Sequence, residues 1–247
     1  MNEHNLVKAA VAEAVGTFAL IFIGVLSIVA VSSVRAPAGL ANLTSIALAH
    51  GLTIMVMVAA LGAVSGGHFN PAITFGFVVT RRMSMFAGGV YWLAQLIGGS
   101  LAALLLVPIV GPALVGLGTP ALGPGVSIWS GAILEGVGTF FLVLAVFGTA
   151  VDGRAPKSVY PFAIGLAIAF DIMAFGPLTG GSVNPARAFG PALASGHWAN
   201  QLVYWIGPLI GGALAALLDY YFFMEQAPPV PYERGGPTAE EERRRAG

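Results

Sequence analysis

The chain has 247 residues, 57% of them hydrophobic and 9% charged, with a mean hydropathy of +0.84; soluble domains carry about 25% charged residues, so a bilayer is the expected setting. Eleven Lys and Arg balance eleven Asp and Glu, which leaves no basic footprint for nucleic acid. There is no Cys, and His4, His50, His68 and His197 never fall at the spacing of a metallopeptidase helix, so neither a metal nor a cofactor is expected.

In chain order, six stretches reach the roughly 20 apolar residues that a spanning helix needs. They run over Leu6–Val34, Ala41–Val64, Phe86–Val110, Ser130–Val151, Val159–Leu178 and Gln201–Met224. The first is too long for the core of a cleaved signal peptide. Between the second and third lies Ser65-Gly66-Gly67-His68-Phe69, followed by Asn70-Pro71-Ala72 and an apolar run to Val79. Between the fifth and sixth lies Thr179-Gly180-Gly181-Ser182-Val183, followed by Asn184-Pro185-Ala186 and a run to Leu193. The uncharged, Gly- and Pro-rich link Pro108–Ile128 reads as an outside loop folded over the surface, and residues 225–247, Pro-rich and then charged, as a disordered cytoplasmic tail.

The halves repeat. Glu13 and Glu135, Asn70 and Asn184, and Trp92 and Trp205 stand 122, 114 and 113 residues apart, each within a matching local pattern. Residues 1–120 form the first repeat with its outer connecting loop, and 121–224 the second. Three spans per half is an odd number, so the halves sit inverted in the membrane. Placing both termini in the cytoplasm puts nine of the eleven Lys and Arg inside and leaves only Arg35 and Arg187 outside or in a pore.

Each Asn-led segment is ten residues, a helix of about 15 Å and half of a ~30 Å hydrocarbon core. Asn is a favoured N-cap and Pro suits the first turn, so each Asn-Pro starts a helix and the two stack tip to tip as a seventh span. Their N-terminal dipoles repel cations at the midplane, and the Asn amides donate to the oxygen of a passing neutral solute. The fold class is therefore an all-α membrane protein of six transmembrane helices and two half-helices in an inverted repeat.

On these residues the chain resembles the major intrinsic protein family of aquaporins and glycerol channels, over Ala12 to Leu218. The resemblance rests on the doubled Glu-x-x-x-Thr, on Ser-Gly-Gly-His-Phe-Asn-Pro-Ala and on Asn-Pro-Ala-Arg-Ala-Phe-Gly-Pro. It implies a passive water channel that excludes protons and ions, one pore per subunit in a homotetramer, no enzymatic activity and no cofactor. It places the family's outer filter at His50, Ile172, Gly181 and Arg187, a set similar to that of plant tonoplast intrinsic proteins, several of which pass ammonia as well as water. Ammonia or hydrogen peroxide is thus an expected further solute. Glycerol channels of the family carry Asp just after the filter Arg and a basic residue four further on; here Ala188 and Ala192 stand there, which disfavours a glycerol or urea facilitator. An inverted-repeat secondary transporter is the other alternative, opposed by the cation barrier.

Ionisable residues inside a bilayer are costly and purposeful. Glu13 and Glu135 read either as proton-relay carboxylates or, preferably, as acceptors for the backbone N–H groups of the two loops. His68 either lines the inner pore mouth or steadies its loop. Asp171, beside Ile172, either accepts hydrogen bonds from the second loop or places a charge behind the filter. The expected location is a prokaryotic cell (inner) membrane, crossed several times.

Overall fold

The computed structural model describes residues 3–33 and 40–224; Arg35 and the tail 225–247 lie outside the described residues. Its helices are α1 (Glu3–Ser33), α2 (Leu40–Ser65), α3 (Pro71–Val79), α4 (Met85–Val110), α5 (Pro112–Gly116), α6 (Ile128–Val146), α7 (Tyr160–Thr179), α8 (Pro185–Ser195) and α9 (Val203–Leu218). Single π-helical turns, Phe147–Val151 and Asp219–Phe223, extend α6 and α9. Six segments are long and apolar enough to cross a membrane: α1, α2, α4, α6 with its π turn, α7, and α9 with its π turn. No strand occurs among the described residues. The link expected as plain loop carries α5, which starts with Pro112 in its first turn, where a missing N–H leaves no bond unmade.

Helices of a half pack on one another, α1 against α4 and α2, α6 against α9 and α7. The halves meet where α2 lies along α7. That seam is backbone on backbone: a Cβ on Gly51 would lie 2.5 Å from the Gly165 carbonyl oxygen, and one on Gly165 would lie 2.5 Å from that of Gly51. Close approach through small residues is how helices associate in lipid, where no hydrophobic force separates protein from solvent.

The half-helices cross over between repeats. α3, from the first repeat, packs against α9 of the second, and α8 packs against α4 of the first. Each thus enters from one side and is held by the third span of the other half, which brings their N-termini together inside the bundle.

Candidate functional site

Each half-helix begins as its sequence requires. Asn70 is extended (φ −154°, ψ 120°) and its Oδ1 accepts from the Ala72 N–H at 2.8 Å. Asn184 (φ −152°, ψ 110°) accepts from Ala186 N–H at 3.0 Å and Arg187 N–H at 3.2 Å. Pro71 and Pro185 follow in the first turn. The side chains of Asn70 and Asn184 then cross to the opposite loop: Asn70 Nδ2 donates to the Val183 carbonyl at 2.8 Å, and Asn184 Nδ2 to the Phe69 carbonyl at 2.9 Å. One amide hydrogen of each Asn is committed to this clasp, and a second remains on each nitrogen for a solute oxygen.

Phe69 and Val183, the residues before the caps, have φ of +49° and +45°. A bulky or β-branched residue in the left-handed region is strained, and such strain persists only where the surroundings over-determine it. Both backbone groups of each are in use. The Phe69 N–H donates to Glu13 Oε2 at 2.6 Å and the Val183 N–H to Glu135 Oε2 at 2.7 Å, while the carbonyls receive the opposite Asn. Glu13 Oε1 also accepts from Ser65 Oγ (2.7 Å) and His68 N–H (2.9 Å); Glu135 Oε1 accepts from Thr179 Oγ1 (2.7 Å) and Ser182 N–H (2.9 Å). Both carboxylates are fully buried. The geometry is that of acceptors for loop N–H groups that would otherwise be unpaired at membrane depth. Tyr91 and Tyr204 complete the correspondence, donating to the carbonyls of Ser65 (2.7 Å) and Thr179 (2.9 Å).

Beyond this shared frame the repeats differ. In the first, Gln95 Nε2 donates to Glu13 Oε2 (2.8 Å) and Thr74 Oγ1 (3.0 Å), and Thr74 lies 3.0 Å from His68 Nδ1. The His68 ring stacks on Phe77 with centroids 4.4 Å apart. In the repeat register Pro208 stands where Gln95 does and Ala188 where Thr74 does. The second repeat instead contributes Arg187, where the first has Ile73. Arg187 Nη1 donates to the Gly118 carbonyl at 2.8 Å, and Nη2 lies 3.5 Å from His50 Nε2. His50 Nδ1 sits 2.9 Å from the Ile46 carbonyl, which can only accept; the ring proton is therefore on Nδ1 and Nε2 presents a lone pair to the guanidinium.

Of the four expected filter positions, His50 thus meets Arg187, and Ile172 meets Gly181, whose added Cβ would lie 3.0 Å from Ile172 Cα. Gly181 takes φ +55°, which, with that close approach, suits glycine. Asp171 does not accept from the second loop: among the described residues neither of its buried carboxyl oxygens has a hydrogen-bond partner. Sequence reasoning missed the carbonyls of Gly118, Phe69 and Val183, because a backbone acceptor carries no residue signature. It also passed over Gln95 and Thr74, whose polarity inside two apolar helices was the available signal.

A six-span bundle with two half-helices joined by their N-termini defines a channel-type membrane fold. The family model for major intrinsic protein matches residues 1–220, and the chain belongs to that family. It is 45% identical over 238 residues to aquaporin TIP4-4 of Zea mays, covering 94% of this chain and 93% of the relative. It is 43% identical over 229 residues to probable aquaporin TIP2-1 of Oryza sativa subsp. japonica, covering 91% of each. The X-ray structure of the aquaglyceroporin from Plasmodium falciparum superposes with a TM-score of 0.77 at 20% identity, over 88% of this chain and 97% of that one, a likeness of fold.

Proposed function

We propose that the protein is a passive channel that conducts water and small neutral solutes such as ammonia or hydrogen peroxide while excluding protons and other ions, and that it performs no catalysis. The observation that carries this reading is the reciprocal Asn70–Val183 and Asn184–Phe69 clasp, which aims two helix N-termini at one buried point. Two such ends place partial positive charge where a cation would cross, and the free amide hydrogens hold a solute oxygen so that it cannot relay a proton onward. Asn70, Pro71, Ala72, Asn184, Pro185 and Ala186 form the midplane constriction. That these relatives are named aquaporins supports water as the principal solute.

Selection falls to His50, Ile172, Gly181 and Arg187. Arg187 adds a fixed charge against cations and offers N–H groups to an oxygen; the His50 lone pair is the acceptor opposite. Ile172 and Gly181 supply an apolar and an open wall. Ala188 and Ala192, both buried, replace the polar residues of a glycerol facilitator, and the doubled helix ends oppose an ion-coupled transporter.

The protein is a multi-pass membrane protein. Both termini are cytoplasmic in our reading. In support, Arg82 Nη2 reaches Met224 Sδ at 3.2 Å and Arg154 Nη2 reaches the Phe223 carbonyl at 2.5 Å, so two basic loops share the end of the bundle where α9 stops. A prokaryotic inner membrane gains no support from relatives that are plant proteins. A homotetramer in lipid, with repeats bounded at 1–120 and 121–224, completes the proposal. Stopped-flow permeability of proteoliposomes to water, ammonia, hydrogen peroxide and glycerol tests it: water fastest and glycerol slowest is expected, whereas glycerol matching water returns the chain to the facilitator class.

A further inference from the structure

Asp171 is the one carboxyl group at the filter for which the scheme above has no use. Its side chain is fully buried on α7, next to Ile172, and points at α6: its Oδ1 lies 3.2 Å from where a Cβ on Gly138 would sit. Gly138 is three residues, one helical turn, beyond Glu135, so the Asp171 and Glu135 carboxyls are electrostatic neighbours behind the second loop. Neither Asp171 oxygen has a donor among the described residues. The charge of Arg187 reaches Glu135, while its guanidinium makes its hydrogen bonds to the Gly118 carbonyl and towards His50 Nε2. On α2, His50 faces Arg187, and its single ring proton goes to the Ile46 carbonyl. Glu135, which accepts three hydrogen bonds, is suited to hold a charge, whereas a second carboxylate beside it with no donor, in a dry corner, is an arrangement proteins avoid by placing a proton on it.

The first repeat says where that proton is wanted. Glu13 Oε2 there receives two donors, the Phe69 N–H and the Gln95 amide. Among the described residues Glu135 Oε2 receives only the Val183 N–H, because Pro208 occupies the place of Gln95 and offers no hydrogen. We propose that Asp171 is a neutral carboxylic acid that supplies the second repeat with the hydrogen Gln95 supplies to the first, given to Glu135 directly or through one bridging water, and so positions the second loop and its filter residues without a charge behind them. Asp171 is on this account a positioning residue: it touches no solute, and acts on selection through Glu135, Val183 and the Gly181 loop. The inference rests on the filter reading for its consequences in transport but not for its chemistry, which the first of the following measurements reads alone.

Infrared difference spectroscopy of the protein in lipid, wild type against Asp171→Asn, should show a protonated-carboxyl C=O band in the wild type that shifts in deuterated water and is missing from the variant. A spectrum in which Asp171→Asn removes an ionised-carboxylate band instead overturns the proposal, whatever solute the channel passes. Permeability of the same samples then tests the positioning role. Asp171→Asn, which keeps an amide donor, should retain water flux within about twofold and the same water-to-glycerol ratio, whereas Asp171→Leu, of like volume and with no donor, should change that ratio severalfold. Equal ratios in Asn and Leu variants that both fold would show that no hydrogen from this position is used.

Discussion

In the first repeat Glu13 gathers four donors, from Ser65, His68, Phe69 and Gln95; in the second, Glu135 gathers three, from Thr179, Ser182 and Val183. Around that difference the two loops diverge: Gln95, Thr74 and His68 link the first into a polar network, while the second spends its polarity on Arg187, held between Gly118 and His50. Duplication gives the midplane its symmetry, since each Asn clasps the other's loop. On the proposed filter, selectivity needs asymmetry, because a single guanidinium at one end of the pore would oppose cations without a second one to block solute. On the proposed function, the first loop serves rigidity and the second recognition.

The largest expected effect breaks the frame itself. Glu13→Ala leaves four donors unmatched in the bilayer interior and should lower stability by roughly 4 kcal/mol or more, and Glu135→Ala, which strips three donors of the second loop and the hydrogen proposed for Asp171, should cost about as much, at ~1–3 kcal/mol per group. Unfolding in detergent compares them, and a loss from Glu135→Ala much below that from Glu13→Ala would count against the Asp171 hydrogen. Next, Arg187→Val should raise glycerol relative to water permeability about tenfold, the worth of one hydrogen bond to a charged group. Its counterpart in the first repeat, Ile73→Val, should cost roughly 1 kcal/mol of packing and leave selectivity unchanged. A selectivity change at Ile73 would contradict the division of labour.

Gln95→Leu should cost ~1–3 kcal/mol and leave the solute ratios alone, measured by unfolding and stopped flow on one preparation. His50→Phe removes the acceptor facing Arg187 and narrows the filter; ammonia should fall relative to water, and an unaltered ratio would take His50 out of the filter. The smallest effect lies outside the membrane. Hydrogen bonds from the Arg154 side chain hold the Asp152 carboxyl below its ordinary range. A lowered carboxyl contributes stability above its unfolded range and loses it as pH falls through the lowered one. For an exposed pair this amounts to under ~0.5 kcal/mol, so Arg154→Ala should hardly move neutral-pH unfolding and should match wild type in strong acid.

Much of this molecule is legible in its sequence because the bilayer constrains it so tightly. Span lengths follow from hydrocarbon thickness, and the described helices end within a few residues of the apolar runs. Asn-Pro suits an N-cap and a first helical turn, and here both half-helices begin at Pro71 and Pro185. The roles of Glu13 and Glu135 were readable because a buried charge repeated in register demands partners. What stayed hidden depends on chain segments far apart in sequence meeting through backbone atoms. Nothing in Gly118 announces that its carbonyl holds Arg187, 69 residues on. Nor do Phe69 and Val183, ordinary apolar residues, declare the positive φ that turns their carbonyls toward the opposite Asn. The π-helical turns ending α6 and α9 were equally silent, since a one-residue widening leaves no mark on hydropathy.

The central claim, that the clasped half-helices pass water and stop protons, is tested most directly by recording both fluxes in one preparation of proteoliposomes: osmotic shrinkage by stopped-flow scattering, and internal pH under an imposed proton gradient. Shrinkage far faster than in empty vesicles is expected, with proton entry no faster than theirs. Shrinkage at the empty-vesicle rate, or proton entry that rises in step with water, would contradict it.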